Sequence, residues 1–138
     1  MIRLVVFETY PLFHIGIRKA FKGSSHIYVA DNTSDAAALF PMLENTLAEV
    51  VLIGVNPCDN HICVDITRRI RHDFPSLKIL AFADEDTEET VRLMMKAGIN
   101  GCIGKRADRN ELGKAIRQLG ASDGGHCRGT KTAKLENK

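Results

Sequence analysis

No part of this 138-residue sequence comes near the roughly 18 consecutive apolar residues that a membrane-spanning helix needs. The first apolar run, residues 2 to 7, is also too short for the core of a signal peptide. We therefore expect a cytoplasmic protein that makes no membrane contact. The sequence has four cysteines and no export signal, which predicts reduced thiols rather than a disulfide framework.

The main body of the sequence lacks net charge. Residues 120 to 138 hold four lysines and arginines against two acidic residues, which accounts for the whole formal charge of +2, so residues 1 to 119 are neutral. Binding to a phosphate backbone normally needs concentrated positive charge, so the neutral body lacks the charge expected of a nucleic-acid-binding domain.

Helical periodicity stops after Leu119. We therefore expect one domain over residues 1 to 119 and a linker or tail over residues 120 to 138.

What the sequence does contain is a regular alternation of two patterns. Short β-rich apolar runs alternate with segments in which apolar residues recur at helical spacing. The five apolar runs are residues 2 to 7, 26 to 30, 49 to 54, 77 to 82 and 101 to 103. Five successive βα units predict an α/β fold, a doubly wound parallel sheet with helices on both faces.

The helical segments carry boundary signals of their own. Leu12 and Gly16 belong to the predicted buried stripe of the first helix, and Ile62 belongs to that of the third. Pro41 should kink the second helix or end it early, because proline has no N–H to donate. Gly98 is a suitable C-terminal residue for the fourth helix.

In a doubly wound sheet, ligands collect beyond the carboxyl ends of the strands. Glu8 and Lys105 follow two of the predicted strands, and their opposite charges can neutralise each other. Gly54 ends the third predicted strand and brings no side chain to this edge. This edge of the sheet is therefore the place to look for a site.

Two short stretches carry a resemblance to a known family. The stretch YPLF, residues 10 to 13, enters the first helix, and AGINGCIGK, residues 97 to 105, runs from the fourth helix through the fifth strand. Together with the order of the elements, they resemble the receiver domain of bacterial two-component response regulators. The resemblance covers residues 2 to about 119, and it is nearest to the subgroup in which a LuxR-type helix-turn-helix domain follows the receiver.

The resemblance implies a flavodoxin-like (βα)5 fold with strand order 2-1-3-4-5 and a role in transcriptional signalling. It also implies a DNA-binding domain beyond residue 138, which would make this chain a truncated form, although a stand-alone adaptor is the alternative. We expect a homodimer or a partner protein, and DNA contact only through that further domain.

In that family, two adjacent carboxylates after the first strand hold Mg²⁺, and an aspartate at the end of the third strand accepts the phosphoryl group. A serine or threonine ending the fourth strand senses the phosphoryl group, and a lysine ending the fifth contacts it. Glu8 and Lys105 match two of these positions. The departures are Thr9 at the second acidic position, Gly54 at the acceptor, Ala83 at the hydroxyl position and Cys102 at the aromatic switch position.

These departures predict a degenerate phosphorylation pocket with no catalytic residue, no metal and no cofactor. The expected function is a phosphorylation-independent interaction and dimerisation module, not an enzyme. Two alternatives stay open. A displaced carboxylate, Asp59 or Asp84, could accept the phosphoryl group, or a small ligand could enter the pocket around Gly54 and Ala83.

The loop CDNHIC, residues 58 to 63, contains two cysteines and a histidine, and His126 and Cys127 could complete a zinc tetrahedron with it. The spacing matches no common zinc pattern, so we prefer a structural loop with buried thiols.

Two apolar residues are predicted to face solvent. Leu93 lies roughly opposite the buried stripe of the fourth helix, and Ile15 lies far from the centre of the stripe of the first. Receiver domains similar to this sequence pair through the first and fifth helices, or through the fourth helix, fifth strand and fifth helix. Ile15 and Leu93 fall on these two faces, so each is a candidate for a partner surface.

Overall fold

The structure is a computed structural model that describes residues 1–121, apart from the side chains of residues 59 and 60. The predicted tail beyond residue 121, with the possible zinc ligands His126 and Cys127, lies outside the described residues, as does the side chain of Asp59. Within the described part, none of the helices is long and apolar enough to cross a membrane.

Strands and helices alternate along the chain. The strands β1 to β5 are Ile2–Phe7, Ile27–Thr33, Val50–Val55, Lys78–Ala83 and Gly101–Gly104. The helices α1 to α5 are Pro11–Phe21, Ala36–Thr46, Asn60–Asp73, Glu88–Ala97 and Arg109–Ala121, and a 3₁₀ turn, Pro57–Asp59, precedes α3. The strands form one parallel sheet in the order β2-β1-β3-β4-β5, so the predicted fold and strand order are confirmed.

The sheet has a hydrophobic core on each face. In β3, where every residue is buried, Val51 and Ile53 belong to the core that also contains buried residues of α2, α3 and α4. Leu52, between them, belongs to the core shared with α1 and α5. Alternate residues of a strand point to opposite faces, so burial on both faces explains why β3 is a continuous apolar run rather than an alternating one.

The second helix runs through Pro41, so the predicted early end there is wrong, whereas the alternative, a kink at Pro41, stays a prediction. Pro41 lies inside α2, which continues to Thr46 instead of ending at the proline. Leu39 and Leu43, on either side of Pro41, are both buried in the core. Their packing against the sheet keeps the helix continuous although proline removes one backbone hydrogen bond.

Three residues assigned to buried stripes are exposed, so the predictions for Leu12, Gly16 and Ile62 were wrong. The buried side of α1 is centred on Phe13, Ile17 and Phe21, and Leu12 lies about 140° around the helix from that centre. The buried side of α3 is formed by Cys63, Ile66, Thr67 and Ile70. Ile62 lies about 90° around the helix from the centre of that side. An apolar pattern read from the sequence did not fix the centre of either stripe.

Arg71 of α3 ties the end of α4 to the start of β5. Its Nε and Nη2 donate hydrogen bonds to the Gly98 carbonyl over 3.1 and 2.8 Å, and Nη2 also donates to Asn100 Oδ1 over 2.7 Å. Its Nη1 donates to the carbonyls of Pro75 and Leu77, each over 2.9 Å. Desolvation by burial lowers the pKa of this guanidinium. These hydrogen bonds fix the position at which the chain enters β5, the strand that ends directly before Lys105.

Candidate functional site

Three strands deliver polar side chains to one point at the carboxyl edge of the sheet. Glu8 directly follows β1, Asn56 directly follows β3, and Lys105 directly follows β5. Because all the strands are parallel, these positions share one edge of the sheet. The three side chains meet there in a single hydrogen-bonded group.

Glu8 and Lys105 form a buried ion pair. Lys105 Nζ lies 2.7 Å from Glu8 Oε1, and the side chains are 6% and 0% exposed. The other carboxylate oxygen, Glu8 Oε2, accepts hydrogen bonds from Asn56 Nδ2 over 2.7 Å and from the Tyr10 backbone N–H over 3.0 Å. Both oxygens of the carboxylate are therefore engaged by this chain's own donors, as a buried charge requires.

Asn56 joins the acid to the lysine. Its Oδ1 accepts a hydrogen bond from Lys105 Nζ, while its Nδ2 donates to Glu8 and to Thr9 Oγ1, the latter over 3.1 Å. Sequence reasoning assigned no role to Asn56. Its position was the available signal, since it is the first residue after a fully buried strand at the same edge as Glu8.

Three aromatic rings surround the ammonium group of Lys105. Its Nζ lies 4.0 Å from the ring centroid of Phe13, 5.1 Å from that of Tyr10 and 5.6 Å from that of Phe82. Phe13 also packs edge-on against Phe82, with 5.6 Å between the centroids. A desolvated cation over aromatic faces gains roughly 2 kcal/mol, so the rings replace part of the water that the lysine has lost.

Gly54 lies directly against the carboxylate of Glu8. A Cβ atom built on Gly54 would be 2.0 Å from Glu8 Oε1, where ordinary contact begins at about 3.4 Å. Gly54 lies within β3 and its φ is outside the left-handed region, so it is not a turn glycine. The carboxylate of Glu8 thus fills the space in which any side chain at position 54 would begin.

Ala83 and Cys102 complete the set of predicted site residues. Ala83 is buried beside the pocket and offers its carbonyl, which accepts a hydrogen bond from the Lys105 N–H over 2.9 Å. Cys102 of β5 is fully buried in the core shared with α2, α3 and α4, and desolvation raises the pKa of its thiol to about 12. At physiological pH this side chain is therefore a protonated, apolar filler.

The cysteine loop does not form a metal site among the described residues. Cys63 is buried and its Sγ lies 3.6 Å from the Gly54 carbonyl, whereas Cys58 is exposed and its Sγ lies 3.9 Å from Tyr10 Oη. The prediction of buried thiols therefore holds for Cys63 and is wrong for Cys58. Among the side chains that the structure describes, which do not include that of Asp59, no group of three or more His, Cys, Asp or Glu could hold a metal ion.

The two candidate interface residues are both exposed. Ile15 on α1 is 57% exposed and Leu93 on α4 is 42% exposed, as their positions in the helical pattern predict. The two helices pack on opposite faces of the sheet. Any partner contact at these residues stays a prediction.

Sequence comparison identifies a relative among bacterial transcriptional regulators. No protein-family model matches the sequence. Over 117 residues the chain is 25% identical to the transcriptional regulatory protein DegU of Brevibacillus brevis, a match that covers 84% of this chain and 49% of DegU. The chain therefore spans about half the length of that regulator.

Solved structures share the fold. A LuxR-family two-component response regulator from Aurantimonas superposes with a TM-score of 0.78 at 19% identity, covering 98% of this chain and 92% of that one. The RcsB response regulator of Salmonella typhimurium superposes with a TM-score of 0.79 at 21% identity, covering 99% of this chain and 67% of that one.

Proposed function

We propose that this chain is a receiver domain of the response-regulator type that transmits signals through protein contacts without being phosphorylated. The contact between Glu8 and Gly54 carries the proposal. It puts a carboxylate, already paired with Lys105, in the space from which the side chain of an acceptor would project. An acidic residue at position 54 and the observed position of Glu8 exclude each other.

Phosphoryl transfer to a carboxylate requires an oxygen nucleophile in line with the donor and a metal ion that neutralises the developing charge. Gly54 has no such oxygen. The side chains at this edge also fit Mg²⁺ poorly, because both oxygens of Glu8 already accept hydrogen bonds from Lys105, Asn56 and the Tyr10 N–H. The neighbouring Thr9 adds a neutral hydroxyl and no second carboxylate. We propose a pocket that is neutral by itself and performs no turnover.

The output of such a domain has to come from contacts with other molecules. RcsB has been solved as dimers bound to DNA, and we propose by analogy that this chain pairs with a second copy and reaches DNA only through a further domain. The outer side of α4 suits pairing, since exposed Leu93 is flanked by Glu89, Arg92 and Lys96. Side chains of both signs can satisfy one another across a two-fold axis. Cytoplasmic location stays a prediction.

Acetyl phosphate with Mg²⁺ tests the proposal. Intact-mass spectrometry of the treated chain should find no acid-labile phosphoryl adduct, while a conventional receiver domain treated in parallel should gain one. A Mg²⁺-dependent adduct mapped to Asp59 or Asp84 would establish a displaced acceptor and refute the proposal. A saturable rise in melting temperature with an anionic metabolite would instead favour the small-ligand sensor.

A further inference from the structure

The neutral charge of the whole domain conceals a strongly basic surface. We define the α1–α5 face as the outward side chains of α1, α5 and Lys22, the residue that follows α1. Two acidic residues lie on or beside this face. They are Glu111 on α5 and Asp108 directly before it, which lines the surface together with Lys19 and Arg109, and each carboxylate accepts a hydrogen bond from the backbone N–H of the other residue, over 3.1 and 2.8 Å. The basic residues, all exposed, are Arg18, Lys19, Lys22, Arg109, Lys114 and Arg117.

The face also has an apolar part. Leu12 is 80% exposed and Ile15 is 57% exposed, and because they are three residues apart on α1 they are neighbours on its surface. Single exposed apolar residues are common, but two large aliphatic side chains side by side form a patch that a partner can cover. The patch lies on the N-terminal half of α1, and Arg18, Lys19 and Lys22 lie at the other end.

An exposed glycine lies next to this patch, and nothing in the domain explains it. Gly16 is in the middle of α1, and a Cβ atom built on it would meet no atom within 4 Å. Its φ is not in the left-handed region either. A glycine inside a helix costs about 1 kcal/mol relative to alanine. We therefore expect the stabilisation that offsets this cost to come from a contact with another molecule. A glycine on an exposed helix lets a second helix approach closely.

A cleft continues the basic surface between the two helices. It has a volume of about 360 Å³, and its basic lining residues are Lys22, Arg109 and Arg117; His26, Phe21, Ile27 and smaller residues of both helices and the loop after α1 complete the lining. The basic side chains therefore form the rim and walls of a concave surface next to the apolar patch.

These features favour one kind of occupant. A second copy docked through the same face in a two-fold contact would bring six basic side chains against six others, and like charges at an interface cost several kcal/mol. A nucleic acid backbone would satisfy the charge but would leave Leu12, Ile15 and Gly16 without a function. An acidic helix with an apolar stripe satisfies the charge, the patch and the glycine together.

We propose that the α1–α5 face binds an acidic amphipathic helix of a different protein, with its apolar stripe on Leu12, Ile15 and Gly16. Its acidic side chains pair with the basic residues at the far end of α1 and on α5. The inference rests on the proposed function only in taking protein contacts as the output of the domain. It does not depend on the chemistry of the Gly54 pocket.

The test uses a fluorescent synthetic helix of about 18 residues, roughly five turns, with leucines at every third or fourth position and glutamates on the flanks. Anisotropy at low salt should give saturable binding with a Kd below about 1 mM, and added salt should weaken it. Lys19→Glu and Leu12→Ser should each weaken binding about tenfold. Gly16→Leu should weaken it similarly without lowering the melting temperature.

Matched variants on other surfaces provide the controls. Arg68→Glu reverses an exposed charge on α3, and Leu47→Ser removes an exposed leucine at the end of α2. Both should bind the peptide like the parent. A peptide with the same leucines and lysines in place of glutamates should not bind.

Several results would overturn the inference. One is the absence of saturable binding by the acidic peptide, and another is binding that Lys19→Glu and Leu12→Ser leave unchanged. Duplex DNA that binds with the same dependence on Lys19 would make the face a nucleic-acid surface. Self-association lost in Ile15→Asp would make it a contact between copies. Phosphorylation by acetyl phosphate would refute the proposed function and leave the peptide result standing.

Discussion

At the scale of single residues, the pocket depends on Glu8, whose carboxylate fills the space that a side chain at position 54 would need. Gly54, the last residue but one of the buried strand β3, forms no turn, and its role is to leave room for the carboxylate of Glu8. That carboxylate in turn engages Lys105, which would otherwise be a buried cation without a counterion. The three residues are therefore coupled, and changing one should alter the effect of changing another.

A methyl group at position 54 tests the shared space. Gly54→Ala should lower the free energy of unfolding by about 1–3 kcal/mol, because its Cβ displaces the carboxylate of Glu8. In a Glu8→Ala background the same substitution should cost much less, which urea unfolding of the four proteins would measure. Gly104→Ala is the control, since its Cβ would meet no atom within 4 Å. Equal costs in both backgrounds would show that Glu8 and Gly54 do not compete for space.

Removing the lysine tests the ion pair. Lys105→Met should destabilise the domain by about 3–5 kcal/mol, because it leaves the buried carboxylate of Glu8 without its counterion. Glu8→Gln added to Lys105→Met should recover part of the loss. Arg106→Met, next along the chain, breaks an exposed pair with Glu85 and should cost less than about 1 kcal/mol. Similar losses for Lys105→Met and Arg106→Met in chemical denaturation would contradict the buried-pair account.

At the scale of the elements, strand positions could be predicted well and helix faces less well. Burial on both sides makes a strand such as β3 a continuous apolar run, which stands out in the sequence. In a helix, the centre of the buried stripe depends on how the helix lies on the sheet, so Leu12 was assigned to the wrong side. The continuation of α2 through Pro41 depends on tertiary packing, which local propensity does not contain.

Two helix-associated glycines should respond oppositely to alanine. Gly16→Ala should raise the free energy of unfolding by about 0.5–1 kcal/mol, because its backbone is helical and the new methyl meets no neighbour. Gly98→Ala should lower it by about 1–3 kcal/mol, because Gly98 has a φ of 119° and its Cβ would lie 3.1 Å from Arg71. Thermal and urea unfolding would measure both. A Gly16→Ala variant less stable than the parent would contradict the packing described for α1.

At the scale of the whole molecule, the sequence predicted which residues converge at one edge of the sheet but not how they connect. Parallel topology alone brings Glu8, Gly54 and Lys105 together. Neither the bridging amide of Asn56 nor the aromatic rings around Lys105 could be predicted, because both depend on side-chain directions across loops distant in the chain. Net charge likewise concealed the α1–α5 face, since a sum over residues says nothing about where they lie.

Self-association should depend on the outer side of α4, which carries charges of both signs around Leu93, and not on the basic α1–α5 face. Leu93→Asp should weaken dimer formation, because it places a charge in the middle of the apolar contact proposed for α4. Ile15→Asp should associate like the parent, because pairing through the basic α1–α5 face is repulsive. Size-exclusion chromatography with light scattering over a concentration series would compare the three proteins. Loss of association in Ile15→Asp alone would reverse the assignment of the two faces.

The central claim is that Glu8 already engages Lys105, so the pocket accepts neither a metal ion nor a phosphoryl group. Nuclear magnetic resonance of the full chain tests it most directly, by following the side-chain signal of Lys105 and the backbone signals of Glu8 and Gly54 during addition of Mg²⁺ and beryllofluoride. The account predicts that these signals stay where they are at saturating Mg²⁺ and beryllofluoride. Saturable, Mg²⁺-dependent shifts of Lys105 together with Glu8 would contradict it.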